Sequence, residues 1–139
     1  MRLMQLVYAS RPFGFDATTI NDILFSARRN NKRDGITGAL VCRDDLYLQM
    51  LEGPRDKVTA AYARILRDDR HVDVVGLWSG DLETRLFPSW EMRHDPARSW
   101  MWSPDEVYAG AVVNASADEL RALFQRIAAE PPEERGGVV

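Results

Sequence analysis

The chain has 139 residues, 45% of them hydrophobic and 28% charged, with 18 Lys and Arg against 21 Asp and Glu for a formal charge of −3. That length supports one domain around one real core, and the weakly acidic balance is wrong for a general nucleic-acid binder, which needs concentrated positive charge. No apolar run approaches the roughly 20 residues that span a bilayer, no signal peptide is read in MRLMQLVYAS, and a single cysteine, Cys42, excludes a disulfide framework and a cysteine-built metal site. The expectation is a reduced, cytoplasmic protein with no metal and no membrane partner.

Leu3 to Ser10 reads as a strand, with Met4, Leu6, Tyr8 and Ser10 on one face. Arg11-Pro12-Phe13-Gly14 breaks it, and Asp16 is a candidate helix N-cap. Ile20, Ile23, Leu24, Ala27 and Asn31 follow at helical spacing, with Asn30, Asn31 and Gly35 marking the helix end. Ile36–Cys42 and Leu46–Glu52 predict a hairpin turned at Asp44-Asp45. Pro54 suits the first position of a second helix whose buried stripe is Val58, Ala61, Tyr62 and Ile65. Val72–Leu77 is a fourth strand and the region around Trp90 to Arg93 a fifth.

The order β-α-β-β-α-β-β, with two helices of similar length, predicts an α+β, ferredoxin-like, five-stranded mixed sheet with both helices on one face. The second and third strands are apolar on both sides, so the opposite face also needs cover. Residues 96–139 are expected to supply it, as a helical extension to a domain of residues 1–95. Ser103-Pro104-Asp105-Glu106 and Ser116-Ala117-Asp118-Glu119 have capping-box spacing, and Leu120, Leu123, Phe124 and Ile127 form an apolar stripe. The tail from about residue 130 is expected to fray.

Three polar residues break this pattern toward one place: Tyr8 beside Met4 and Leu6, Gln49 beside Tyr47 and Leu51, and Asn31 on the apolar stripe of the first helix. A buried amide left unsatisfied costs about 1–3 kcal/mol, so the convergence suggests a polar ligand between the two helices and the central strands. Each residue also has an ordinary reading. Tyr8 serves as a core tyrosine with a polar tip, Asn31 as a helix C-cap, and Gln49 as a satisfied core amide. Trp90 and Met92, alternating on one strand face, would be core, and Arg64, Arg67 and Arg70 on the second helix a solvated face.

Taken together, Leu6-Val7-Tyr8-Ala9-Ser10, Asn30-Asn31, Gly35-Ile36-Thr37-Gly38-Ala39-Leu40, Gln49-Met50-Leu51-Glu52-Gly53, Asp68-Asp69-Arg70-His71 and Phe87-Pro88-Ser89-Trp90-Glu91-Met92 resemble the BLUF family of flavin-binding blue-light sensors. The resemblance covers about residues 1 to 95. It implies a non-covalently held flavin between the two helices, FAD with FMN or riboflavin as alternatives. Tyr8 would be the photo-active tyrosine, passing an electron and proton toward the flavin. Gln49 would be the switching amide, and Asn31 would bond the flavin carbonyl and imide region. Ser10 and Asn30 match polar positions nearby, Arg64 and Arg70 are candidates for the ribityl–phosphate end, and Trp90 and Met92 would relay the signal. Asn30 departs from some relatives, which carry another polar residue there.

These residue types suit that task. The protein must supply an electron donor and a hydrogen-bond reporter to a light-absorbing cofactor. Tyrosine loses a proton along with an electron, and a glutamine amide has a donor end and an acceptor end, so rotation or tautomerism reverses what it presents. The expected output is not enzymatic. The signal would pass through the sheet to a separate effector protein, such as a cyclic-dinucleotide enzyme or a transcription regulator, from a homo-oligomeric sensor. Rival readings are an acylphosphatase-like hydrolase using Arg11 in a loop after the first strand, an RNA-binding module, and a light-inactive flavin- or ligand-binding module.

Overall fold

A computed structural model describes residues 3–12 and 17–131. Strands β1 (Leu3–Pro12), β2 (Thr37–Arg43), β3 (Leu46–Pro54), β4 (His71–Leu82) and β5 (Arg93–Pro96) form one sheet in the order β4-β1-β3-β2-β5. All neighbours are antiparallel except β2 and β5, which are parallel. Helices α1 (Ala17–Asp34) and α2 (Arg55–Leu66) cross between strands, and α3 (Pro104–Tyr108) and α4 (Ala117–Ala129) follow the sheet. The expected ferredoxin-like order is therefore present, with β5 added at the β2 edge.

Period-2 alternation divides the central strands between two cores. Met4, Leu6, Tyr8, Leu40, Tyr47 and Leu51 pack with Ile20, Ile23, Leu24, Val58 and Ala61 of α1 and α2. Val7, Ala9, Ala39, Val41, Leu48 and Met50 pack with Leu120, Leu123, Phe124 and Ile127 of α4 and with Phe87. Strand β3, buried from Leu46 through Gly53, is sandwiched, which is why its sequence is apolar on both sides. Both expected capping boxes form, at Ser103 with Glu106 and at Ser116 with Glu119.

Buried charge ties the connections down. Glu52, fully buried, accepts from the Gln5 amide at 2.9 Å and from the backbone N–H groups of Leu86 and Phe87 at 2.8 Å each, anchoring the segment between β4 and β5. At the other edge, buried Asp95 accepts from Arg93 at 2.8 Å and Arg98 at 2.9 Å, while Arg93 donates to the carbonyl of Glu130 at 2.8 Å and Arg98 binds the Glu130 carboxylate at 2.6 Å. This network joins β5 to the C-terminal end of α4. At Gly38 a Cβ would lie 1.9 Å from the carbonyl oxygen of Met50, so the β2–β3 approach admits only glycine there.

Several expectations shift. Helix α1 runs to Asp34 and Gly35, at φ +70°, takes the left-handed position that ends it. Asn31 is thus an interior helical residue and not a C-cap. Pro54 is the N-cap of α2 rather than its first helical residue, and α2, at 12 residues, is shorter than α1 at 18. Of the three arginines expected on α2, only Arg64 lies in the helix; Arg67 caps it and Arg70 follows it. Strand β4 runs on to Leu82. Strand β5 starts at Arg93, so Trp90 and Met92 precede it instead of sitting on it. The Asp16 cap and the tail from residue 132 lie outside the described residues.

Candidate functional site

A cavity of about 240 Å³ opens between α1 and α2 above β3. Ile23 and Ala27 of α1, Ala61 and Ile65 of α2 and Leu51 of β3 give it apolar walls, and Asn30, Asn31, Gln49 and His71 add polar groups. Ser26, Arg29, Arg64, Asp68 and Arg70 complete the lining. The polar groups are graded by exposure. Asn31, Gln49 and His71 are buried, whereas Arg29 is exposed and Arg64 and Arg70 are partly exposed. The guanidiniums are anchored by acids: Arg70 binds Asp68 at 2.6 Å and Arg64 reaches Asp34 at 3.4 Å.

Behind the cavity wall runs a buried chain of side chains. Tyr8 on β1 stands opposite Gln49 on β3, and its hydroxyl donates to Gln49 Oε1. The other end of the same amide, Nε2, donates to the Met92 thioether at 3.2 Å. Asn31 Nδ2 donates to the carbonyl oxygen of Glu91 at 2.6 Å. Ser10 Oγ lies 2.8 Å from His71 Nδ1, and the His71 ring stands edge-on to Tyr8 and Tyr47, with centroids 5.9 and 5.2 Å away.

Burial sets the protonation of this group. Desolvation, with the carboxylate of Asp68 and the phenols nearby, raises the Tyr8 hydroxyl well above its ordinary range, so it is a protonated donor. Desolvation lowers His71 to about 4 against the opposing pull of Asp68, so its imidazole is neutral at pH 7.

The sequence-predicted residues thus divide. Asn30, Asn31, Gln49, Arg64 and Arg70 line the cavity. Tyr8 does not: it is fully buried and meets the cavity through Gln49. Ser10 is likewise one residue removed, behind His71. Trp90 and Met92 part company, Met92 joining the core under α1 and α2 and Trp90 the core on the α4 side. They do not share a strand face, because the segment that carries them is not a strand. Arg29, Asp68 and His71 were not among the site candidates. Their signal was present in the charged pair Arg28-Arg29 within α1 and the run Asp68-Asp69-Arg70-His71 just after α2. For the hydrolase reading, Arg11 forms an exposed pair with Asp73 at 2.5 Å, and the rest of the loop that reading needs lies outside the described residues. Among the described residues no group of His, Cys, Asp and Glu could hold a metal ion, and no helix is long and apolar enough to cross a membrane.

The donor set fits a flavin. A slot with apolar walls suits a flat ring system, buried amides that both donate and accept suit its carbonyl and imide edge, and guanidiniums at the exposed end suit phosphate.

Comparison with known proteins agrees. Residues 3–93 match the family model described as BLUF, sensors of blue-light using FAD, and the chain belongs to that family. It is 37% identical over 87 residues to photoactivated adenylate cyclase subunit beta of Euglena gracilis, covering 63% of this chain and 10% of that one. It is 34% identical over 68 residues to the blue light- and temperature-regulated antirepressor BluF of Escherichia coli, covering 49% of this chain and 17% of that one. The chain thus spans about a tenth of the length of the cyclase relatives. Among solved structures it is similar to the dark state of the BLUF protein BlrB, with TM-score 0.78, 28% identity and 92% and 96% of the two chains covered. It shares its fold with the ground state of BlsA, with TM-score 0.81, 22% identity and 99% and 94% covered.

Proposed function

We propose that this chain is a blue-light switch that binds FAD non-covalently in the slot between α1 and α2 and changes state through the Tyr8–Gln49–Met92 chain. The observation that supports this most directly is the position of Gln49, whose amide lines the cavity while its two ends engage a hydroxyl donor and a thioether acceptor. Bound there, the flavin supplies blue-light absorption and an electron-accepting excited state.

The residues then have distinct tasks. Tyr8 is the electron and proton source, its hydroxyl aimed at Gln49 Oε1. Gln49 is the reporter, because turning or tautomerising its amide exchanges donor and acceptor toward the cavity. Asn31, with Asn30, orients the ring edge, and Arg64 and Arg70 hold the ribityl–phosphate end. Ser10 fixes the His71 ring, which packs against Tyr8 and keeps its orientation. Met92 carries the change outward. Arg93 follows it directly and belongs to the Asp95–Glu130 network, so movement at Met92 reaches the end of α4. In this reading residues 1–95 are the sensor and residues from 96 cover the sheet and present the signal to a separate cytoplasmic effector protein. Relatives named as photoactivated adenylate cyclases and as an antirepressor are consistent with an enzymatic or a regulatory output.

The test is an absorption spectrum of the FAD-loaded protein before and after blue light. The expected result is a red shift that reverses in the dark. A reconstituted sample with an unchanged spectrum overturns the proposal.

A further inference from the structure

The segment before β5 has no ladder of its own, yet three of its consecutive carbonyls have donors from elsewhere in the fold. Gly38 N–H of β2 donates to Trp90 at 3.0 Å, Asn31 Nδ2 of α1 donates to Glu91 at 2.6 Å, and Arg28 Nε of α1 donates to Met92 at 3.0 Å. Arg28 and Asn31 are three apart on α1 and so share a helix face. Helix α1 therefore grips two adjacent carbonyls of an irregular segment whose backbone would otherwise need other partners. The Arg28 bond is charge-assisted, the stronger kind.

Arg28 does not belong to the flavin cavity. It lines a separate recess with Phe25, Lys32 and Glu91. Its reach is nevertheless one residue from the switch, because the Met92 carbonyl it holds belongs to the same residue whose sulfur receives Gln49 Nε2 at 3.2 Å. A thioether accepts but has no proton to donate. Met92 therefore favours the amide orientation in which Nε2 faces it and Oε1 faces the Tyr8 hydroxyl. With the amide turned, Oε1 faces sulfur and that bond is lost, whereas the Tyr8 hydroxyl can accept as well as donate. Of the two neighbours, Met92 is the one that discriminates.

We infer that Arg28 is a positioning residue of the photoswitch: its guanidinium pins the Met92 backbone so that the thioether holds the Gln49 amide in its dark orientation. The inference rests on the reading of Gln49 as the switching amide. Removing the pin weakens the preference for the dark orientation and slows the return to it.

The experiment follows dark recovery by absorbance after a blue flash on the FAD-loaded full chain. Arg28→Ala and Arg28→Gln are expected to recover about three- to tenfold more slowly than the parent, the kinetic equivalent of one net hydrogen bond. Arg28→Lys, which keeps a cationic donor, stays within about twofold of the parent. In a Met92→Leu background, which has no sulfur, adding Arg28→Ala has no further effect on recovery, a double-mutant coupling that a merely structural role would not produce. The 15N-labelled Gln49 side-chain amide gives a second readout by NMR in the dark, and its resonances shift in Arg28→Ala with or without added flavin. Recovery in both neutral variants that is unchanged or faster overturns the assignment, as does an equal slowing with Met92→Leu already present. Gln49→Leu separates the layers: if that variant keeps the full light-induced shift the switching-amide reading fails, and if it loses the shift while Arg28→Ala recovers normally only the Arg28 assignment fails.

Discussion

Tyr8 and Gln49 occupy directly opposed positions of the antiparallel β1–β3 ladder, and the tyrosine hydroxyl donates to the amide oxygen inside the core. Backbone register thus sets the contact, since cross-strand partners have Cβ atoms only about 4.5–5.5 Å apart. Removing the hydroxyl leaves Oε1 buried without that donor. Tyr8→Phe should bind flavin, lose the ordinary photocycle and lose about 1–3 kcal/mol of stability. Absorption under illumination and urea unfolding of the same sample measure both effects.

The imidazole of His71 gives the fold a pH dependence of definite sign. Burial holds it neutral, with a pKa of about 4 against an ordinary 6.5. The unfolded chain therefore takes up this proton at a higher pH than the folded one. Stability is insensitive to this group above about pH 6.5 and falls between there and pH 4 by about 3 kcal/mol in total. Asp68, lowered by its bond to Arg70, contributes stability that is lost at lower pH, as the solution falls below the ordinary carboxylate range. Urea titrations at half-unit pH steps should show the slope from 6.5 to 4 in the parent, and His71→Gln should flatten it.

Asp95 is fully buried between two guanidiniums, one of them on the buried Arg93. Asp95→Ala leaves buried positive charge uncompensated and should cost about 3–5 kcal/mol. Because Arg93 and Arg98 also bind Glu130, amide-exchange protection at the end of α4 should fall along with global stability.

Gly38 offers a test of the close β2–β3 approach. A methyl group there meets the Met50 carbonyl oxygen at 1.9 Å, which no rotamer relieves. Gly38→Ala should destabilise the chain by about 3 kcal/mol or more, at the upper end of overpacking costs. It should also displace Gln49, the neighbour of Met50, and so weaken flavin retention.

Much of the site was legible because it violates local rules. Gln49 stands in a run that is otherwise apolar, and Asn31 on an apolar helical stripe; such violations need partners, and partners mark a site. What local reasoning placed wrongly was the segment at Trp90 to Met92. Its alternation resembles a strand, but the Trp90 carbonyl accepts from the Gly38 N–H of β2, a partner that no local pattern encodes, and the two side chains go to opposite cores. Arg28 was illegible for the same reason. In the sequence it is one more cation on a helix, and its partner is 64 positions away.

By itself the sequence determined the element order, the two-sided burial of β3 and the identity of the polar intruders, since each follows from side-chain periodicity along a few residues. Only the tertiary structure decided that Tyr8 sits behind Gln49 instead of on the cavity wall, and that Met92 rather than Trp90 touches the amide. Those outcomes depend on strand register and on bonds between residues far apart in the chain, which composition and spacing do not carry.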